Sequence, residues 1–204
     1  MIVTQIIELS KNRIKVYIDQ EFAFVLYKGE LRLYQLSEGS EIKEEDYREI
    51  TQTVLPKRAK LRAMNLLQKR TYTEKQLRDK LREGFYPEES LEEAISYVKS
   101  FHYVDDEQYA LDYLTYNEGR KSLRQIEQEL YQKGISKELW LKTLMLWEEN
   151  GGKQDEAVMI QALLEKKHYQ ASSDLKTKQK MYSFLLRKGF SADTIMRVMR
   201  LEND

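Results

Sequence analysis

The centre of the chain reads Ser122-Leu-Arg-Gln-Ile126-Glu-Gln-Glu-Leu130-Tyr-Gln-Lys-Gly134-Ile135. Ile126 and Leu130 lie one helical turn apart, and Ser122 and Gln125 have the spacing of a capping box at a helix start. Gly134 follows the last apolar residue, where a left-handed residue commonly ends a helix. The stretch therefore predicts one short amphipathic helix, with a polar cap before it and a glycine after it.

The same pattern occurs three times along the chain, at Gly84, Gly134 and Gly189. Each glycine follows apolar residues one turn apart, precedes a large apolar residue and comes after an earlier helical segment. Three-helix units of this size stack side by side and bury apolar surface against each other. The sequence therefore predicts a mainly α protein, with tandem three-helix repeats in an elongated array. Only two residues separate Leu81 from Gly84, against three in the later repeats, which leaves room for a differently wound cap.

The first fifty residues have the two-residue alternation of β-strands. Arg13–Asp19 and Glu21–Tyr27 alternate strictly, Ile2–Leu9 is a further strand, and Leu31 with Leu33 continues the pattern. These segments predict a small antiparallel β-meander. A helix over 41–54 should follow, and Pro56 should separate it from the next helix.

These patterns divide the chain into four parts. The first is a β-sheet domain over 1–50, which ends in a linking helix to about residue 55. The three repeats follow over residues 57–104, 105–150 and 153–204.

Composition excludes several classes of function. There is no cysteine, so disulfides and thiolate chemistry are excluded, and the two histidines give little material for catalysis or metal binding. No glycine-rich phosphate-binding motif is present. His102 and His168 are interpreted as helix C-terminal caps, and Trp140 and Trp147 as core residues. We expect no enzymatic activity, no cofactor and no metal.

No segment is predicted to enter a membrane. The longest uncharged run, Ala157–Leu164, is far shorter than the roughly 20 residues that span a bilayer. The first eight residues lack the features of a signal peptide. The expected location is the cytoplasm, and the expected state is a monomer.

Charge is segregated along the chain, although 34 basic residues balance 34 acidic ones. Residues 57–82 carry ten bases against two acids, residues 83–118 carry ten acids against one base, and residues 166–200 carry nine bases against two acids. Such blocks predict strong local fields without an overall one. The alternative is that each helix has an ordinary solvated face.

Four segments, in this order, resemble the RecX family, whose members regulate RecA recombinase filaments. The resemblance covers about residues 57–202. It rests on Leu77-Arg-Asp-Lys-Leu81-Arg-Glu-Gly84-Phe85, Tyr103-Val-Asp105-Asp106-Glu-Gln-Tyr109-Ala110, Ile126–Ile135 and Phe184-Leu-Leu-Arg187-Lys188-Gly189-Phe190. It implies a non-enzymatic protein that binds RecA on single-stranded DNA along the filament groove and reduces ATP hydrolysis and strand exchange. Some members also bind DNA directly. The repeat signature is Gly84, Asp105, Asp106, Tyr109, Ala110, Gly134 and Gly189.

Basic side chains of the repeats are the candidates for contact with RecA or DNA. Arginine suits bidentate contact with carboxylates or phosphates, and four-residue spacing puts several of these side chains on shared helix faces. The alternative is pairing with nearby acids such as Asp79. Two other functions also remain open: DNA binding without RecA, and an adaptor for another protein. The candidate residues are Arg58, Arg62, Lys75, Arg78, Arg82, Arg124, Lys176, Lys180, Arg187 and Lys188.

Overall fold

The chain begins with a three-stranded antiparallel meander, in a computed structural model that describes residues 1–200. The strands β1 (Val3–Ser10), β2 (Arg13–Ile18) and β3 (Glu21–Tyr27) pair in sequence order. Alternation buries Val16 completely and Ile18 nearly so, as the pattern predicts. The predicted meander is therefore confirmed for these three strands.

The predicted continuation of the sheet through Leu31 and Leu33 is wrong, because Lys28–Leu33 forms a helix, α1. The Glu30 carboxylate accepts a hydrogen bond of 2.7 Å from the Tyr27 backbone amide, and this satisfies a donor at the helix start. Leu31 packs against the sheet core, whereas Leu33 is 70% exposed. The pattern of these two leucines fits a strand and also a helix of one and a half turns, so it could not distinguish the two.

Pro56 does not separate two helices, which corrects the second prediction for this region. Helix α2 (Glu44–Glu49) passes through a π-helical segment (Ile50–Val54) into α3 (Leu55–Leu67). The Leu55 amide donates to the carbonyl of Ile50, five residues back. A proline ring ordinarily clashes with the carbonyl four residues earlier, and the wider π turn accommodates it.

Three successive three-helix units follow, which confirms the predicted mainly α class. The first is α3 with α4 (Glu74–Glu83) and α5 (Glu88–Ser100). The second is α6 (Asp106–Asn117), α7 (Leu123–Gln132) and α8 (Lys137–Glu149), and the third is α9 (Glu156–Lys166), α10 (Leu175–Arg187) and α11 (Ala192–Met199). Within residues 1–200, no helix has both the length and the apolar character that crossing a membrane requires.

In each repeat, the position of the left-handed residue that ends the middle helix depends on the last core leucine and not on the glycine. Gly134 and Gly189 take φ of 99° and 85°, but Gly84 is right-handed and Phe85 takes the left-handed φ of 64°. In every repeat the left-handed residue lies four positions after the core leucine. The leucine carbonyl then accepts the amide five positions on, in the pairs Leu81–Tyr86, Leu130–Ile135 and Leu185–Phe190. The prediction of a glycine cap at Gly84 is therefore wrong by one residue.

Each repeat has its own buried cluster, and the sheet has another. Trp140 and Trp147 are each 5% exposed, which confirms them as core residues. His102 and His168 take left-handed φ angles of 55° and 53°, each two positions after the last residue of a helix, which confirms them as C-terminal caps.

Two compact units divide the chain, one over Met1–Asp105 and one beginning at Asp106. The first unit contains both the sheet and the first repeat. The four-part division remains a prediction, and its last four residues, 201–204, lie outside the described residues.

Candidate partner-binding surfaces

Arg58 serves the packing of the sheet against the first repeat. Its guanidinium donates to the Val25 carbonyl at 3.1 Å and pairs with Glu30, and it lies 4.5 Å from the centre of the Tyr27 ring. The side chain is only 17% exposed. Through these three contacts the Arg58 guanidinium joins α3 to β3 and α1, so the role of Arg58 is structural.

Arg78 is similarly engaged, in a network between α4 and α5. It pairs with Glu74 at 2.9 Å and with Glu92 through both carboxylate oxygens, and Lys99 completes the network through Glu74. Hydrogen bonding to Glu92, opposed by burial and reinforced by Glu74, raises the pKa of Arg78. Burial alone would raise the pKa of Glu74, but hydrogen bonds from Lys99 and Arg78 lower it. The network therefore engages the Arg78 guanidinium in ion pairs that join α4 to α5.

Lys75 and Arg82 also pair with acids but stay accessible. Lys75 lies 3.3 Å from Asp79, and Arg82 lies 2.7 Å from Glu88. Both side chains are more than half exposed. The pairing with acids that the sequence left open thus occurs at both positions.

The basic block 57–82 is therefore partly neutralised, since four of its ten bases pair with the acids that follow it. Besides the pairs above, Lys60 contacts Glu93 of α5 at 2.6 Å. These pairs form because α5 packs along α3 and α4, and this brings the start of the acidic block against the basic one. Within residues 1–200 four bases of the block are exposed and form no ion pair: Lys57, Arg62, Lys69 and Arg70.

The third repeat keeps its positive charge exposed. Lys176, Lys180 and Arg187 lie on α10 at spacings of four and seven residues, so they share one helix face. All three are exposed, and none forms an ion pair with another residue of the described chain. We call these three side chains the α10 basic face.

Arg124 comes from the second repeat and lies at its junction with the third. The Ser122 hydroxyl, which caps α7, donates to the Lys188 carbonyl at 2.6 Å. A Cβ built on Gly189 would lie 3.3 Å from the Arg124 Cβ. The fold thus brings Arg124 beside the end of α10, where Lys188 lies with its ammonium 5.9 Å from the Phe184 ring.

The remaining signature residues are structural. Asp106 begins α6, as predicted for an acid at a helix start, and Asp105 directly precedes it. Ala110 is fully buried, and Tyr109 packs on the same core with its ring 6.2 Å from that of Tyr113. Within the described part of the chain, no cluster of His, Asp or Glu could hold a metal ion.

Three contributors to a basic cleft were missed by the sequence reasoning. Arg13, Lys80 and Tyr86 line it together with Arg58 and Arg62. Arg13 lies on a strand and Lys80 within a charged helix. No periodicity signals that these side chains meet, because the meeting depends on how the sheet packs against the first repeat.

The fold and these surfaces define a helical-repeat protein with basic surfaces. Two family models match the chain: RecX, first three-helix domain, over residues 59–97, and RecX, third three-helix domain, over residues 154–199.

Curated relatives carry the same family name. Regulatory protein RecX of Caldanaerobacter subterraneus subsp. tengcongensis is 33% identical over 98% of this chain and 100% of that protein. Regulatory protein RecX of Clostridium perfringens, strain SM101, is 30% identical over 93% of this chain and 89% of the relative. The chain belongs to the RecX family of regulatory proteins.

Solved structures agree with this assignment. A crystal structure of regulatory protein RecX matches with a TM-score of 0.62 at 25% identity and covers 98% of this chain and 99% of that one. The crystal structure of RecX from Lactobacillus salivarius matches with a TM-score of 0.58 at 25% identity, over 72% of this chain and 96% of that one.

Proposed function

We propose that this protein regulates RecA by binding along the groove of the RecA filament on single-stranded DNA, and that it inhibits ATP hydrolysis, strand exchange or filament growth. Family membership supports RecA as the partner. In this proposal the protein acts by binding.

The α10 basic face is the observation on which this proposal rests. In the first repeat, Arg58 and Arg78 are held by internal contacts, so removing them from those contacts would cost stability. Lys176, Lys180 and Arg187 have no such internal role within residues 1–200 and can meet acidic side chains or phosphates at no internal cost. Arg124 and Lys188 extend this basic region at the junction of the second and third repeats.

The experiment is a titration of this protein into preformed filaments of RecA on single-stranded DNA, with ATP hydrolysis as the readout. DNA binding without RecA is measured in parallel at the same salt concentration. The proposal predicts suppression of hydrolysis at protein concentrations that leave bare DNA unbound. No suppression at any concentration would contradict it.

Binding to DNA alone is the second candidate, because the α10 basic face also suits phosphates. In that case hydrolysis falls only when the protein saturates bare DNA, and affinity decreases steeply with salt as counterions compete. An adaptor role for another protein, the third possibility, predicts no effect on RecA and no DNA binding.

A further inference from the structure

A cleft of about 340 Å³ lies in the first unit, between the sheet and the first repeat. Its lining includes Val25 and Tyr27 of β3 and the turn after α4, residues 84–86. This volume is near the lower end for small-molecule sites, which run from about 300 to 1,000 Å³. It can hold one small ligand.

Among the residues that the structure describes, four cations and one acid line the cleft. The cations are Arg13, Arg58, Arg62 and Lys80, and the acid is Glu83, which pairs with Lys80 at 2.6 Å. Glu83 offsets the charge of Lys80 and Glu30 offsets that of Arg58, so the net positive charge of the cleft comes from Arg13 and Arg62. This charge favours an anionic ligand.

Two of the guanidiniums are fixed before any ligand arrives. Arg13 donates a hydrogen bond to the Gly84 carbonyl, and Arg58 donates to the Val25 carbonyl. The cleft wall is itself braced, because the Lys15 ammonium lies 4.1 Å from the centre of the Phe85 ring. Preorganised donors lose little entropy on binding, so they favour affinity. Arg62 is exposed and available to close over a ligand.

Tyr86 adds a hydroxyl donor to the guanidiniums. Burial raises the pKa of Tyr86, against the opposing charges of Arg58, Arg13 and Arg62, so the phenol keeps its proton. Its hydroxyl forms no hydrogen bond with another residue in 1–200. A protonated phenol beside guanidiniums can donate to an anionic oxygen.

We propose that this cleft binds the phosphate group of a nucleotide. The planar fork of arginine matches phosphate oxygens through paired hydrogen bonds, and a phosphate has enough acceptors for several donors at once. The aromatic rings of Tyr27 and Phe85 also line the cleft, each with a cation over one face, and aromatic surface beside cations suits a base attached to that phosphate. The N-terminal sheet thereby contributes directly to a binding site, through Arg13 and Tyr27.

The test uses the full chain labelled with ¹⁵N and titrated with thymidine 5′-monophosphate, without RecA. The amide signals of Gly84 and Phe85 report on the cleft wall. Both should shift saturably, Arg62→Gln should weaken binding about tenfold, and Tyr86→Phe should weaken it to a smaller degree. Arg32→Gln is the matched control, because it removes an exposed arginine of α1 that does not line the cleft and should leave binding unchanged.

Four results would overturn the proposal. The first is the absence of a shift at Gly84 and Phe85, and the second is equal weakening by Arg62→Gln and Arg32→Gln. In competition arms, inorganic phosphate should bind more weakly than the nucleotide, so equal affinity is the third and would contradict the nucleotide assignment. Displacement by an oligoglutamate peptide better than by the nucleotide is the fourth, because it would assign the cleft to an acidic protein segment. Regulation of RecA is measured separately, so either proposal can fail alone.

Discussion

The Ser122 hydroxyl donates a 2.6 Å hydrogen bond to the carbonyl of Lys188, and so joins the start of α7 to the end of α10. The same oxygen accepts the Gln125 amide at 3.1 Å, as the N-cap of α7. One buried hydroxyl thus satisfies a helix start in the second repeat and a helix end in the third. Because both groups are buried or partly buried, the contact fixes how these two repeats pack.

Ser122→Ala should lower the free energy of unfolding by about 1–3 kcal/mol, because it removes a cap and leaves the Lys188 carbonyl unsatisfied. Ser136→Ala is the matched control: Ser136 is exposed, and its hydroxyl caps α8 through the Leu139 amide and forms no other hydrogen bond within residues 1–200. It should cost about 1 kcal/mol or less. Urea denaturation followed by circular dichroism measures both, and equal losses would show that the contact between repeats contributes nothing.

Gly189→Ala should destabilise the second unit more than Gly119→Ala. Both glycines take positive φ, 85° and 67°, so each alanine incurs a backbone cost of about 1–2 kcal/mol. At Gly189 the new Cβ would also meet the Ser122 oxygen, at 2.5 Å, whereas at Gly119 no residue of 1–200 other than its chain neighbours has an atom within 4 Å of the new Cβ. The midpoints of thermal unfolding compare the two variants. If Gly119→Ala were equally harmful, the close approach would be irrelevant to stability.

Arg78→Gln should destabilise the first unit by about 1–3 kcal/mol, since it leaves Glu74 and Glu92 without their shared guanidinium. Arg82→Gln removes the same charge one turn away on α4, at a side chain that is 51% exposed, and should change stability little. Urea midpoints of the two variants distinguish a structural arginine from a surface one. Similar midpoints would refute the structural role of Arg78.

Acidification should weaken the second unit through Glu129. Burial would raise its pKa, but hydrogen bonds from Lys121, Tyr113 and Gln125 lower it from the ordinary value of 4.5. A depressed pKa in the folded state gives stability that is complete above about pH 4.5 and is lost as the pH falls through the folded value. Between pH 7 and pH 3, Glu129→Gln should therefore lose less stability than the unmodified protein. Equal losses in denaturant titrations at the two pH values would contradict this.

Local patterns in the sequence were sufficient to predict most of the fold. The strands follow from two-residue alternation, and the three repeats follow from apolar residues one turn apart before a cap. The error at Gly84 shows what the helix end requires: the left-handed residue falls four positions after Leu81, and Phe85 accepts this strain although a glycine is adjacent. Packing of the last core side chain sets the register, and the local preference of glycine yields to it.

The positions of the charged residues are known from the sequence, but the ion pairs that they form could not be predicted from it. Arg58 and Arg62 are four residues apart on the same helix, yet one is held by Glu30 and the other is exposed. This difference depends on the position of α1, which was predicted as a strand. Similarly, Arg78 meets Glu92 only because α5 packs against α4, and the linear order of charges contains no such information.

The contribution of the α10 basic face is the central claim for function. A triple variant, Lys176→Gln, Lys180→Gln and Arg187→Gln, removes that face. The control removes three exposed cations from the first unit, through Lys11→Gln, Arg32→Gln and Lys43→Gln, so the two proteins have equal net charge.

The most direct measurement is the concentration of each variant that half-suppresses ATP hydrolysis by RecA on single-stranded DNA. At about 0.5 kcal/mol for each exposed charge, loss of the α10 basic face should raise this concentration about tenfold, whereas the control should match the unmodified protein. Equal potency of the two triple variants would contradict the assignment of the contact to α10.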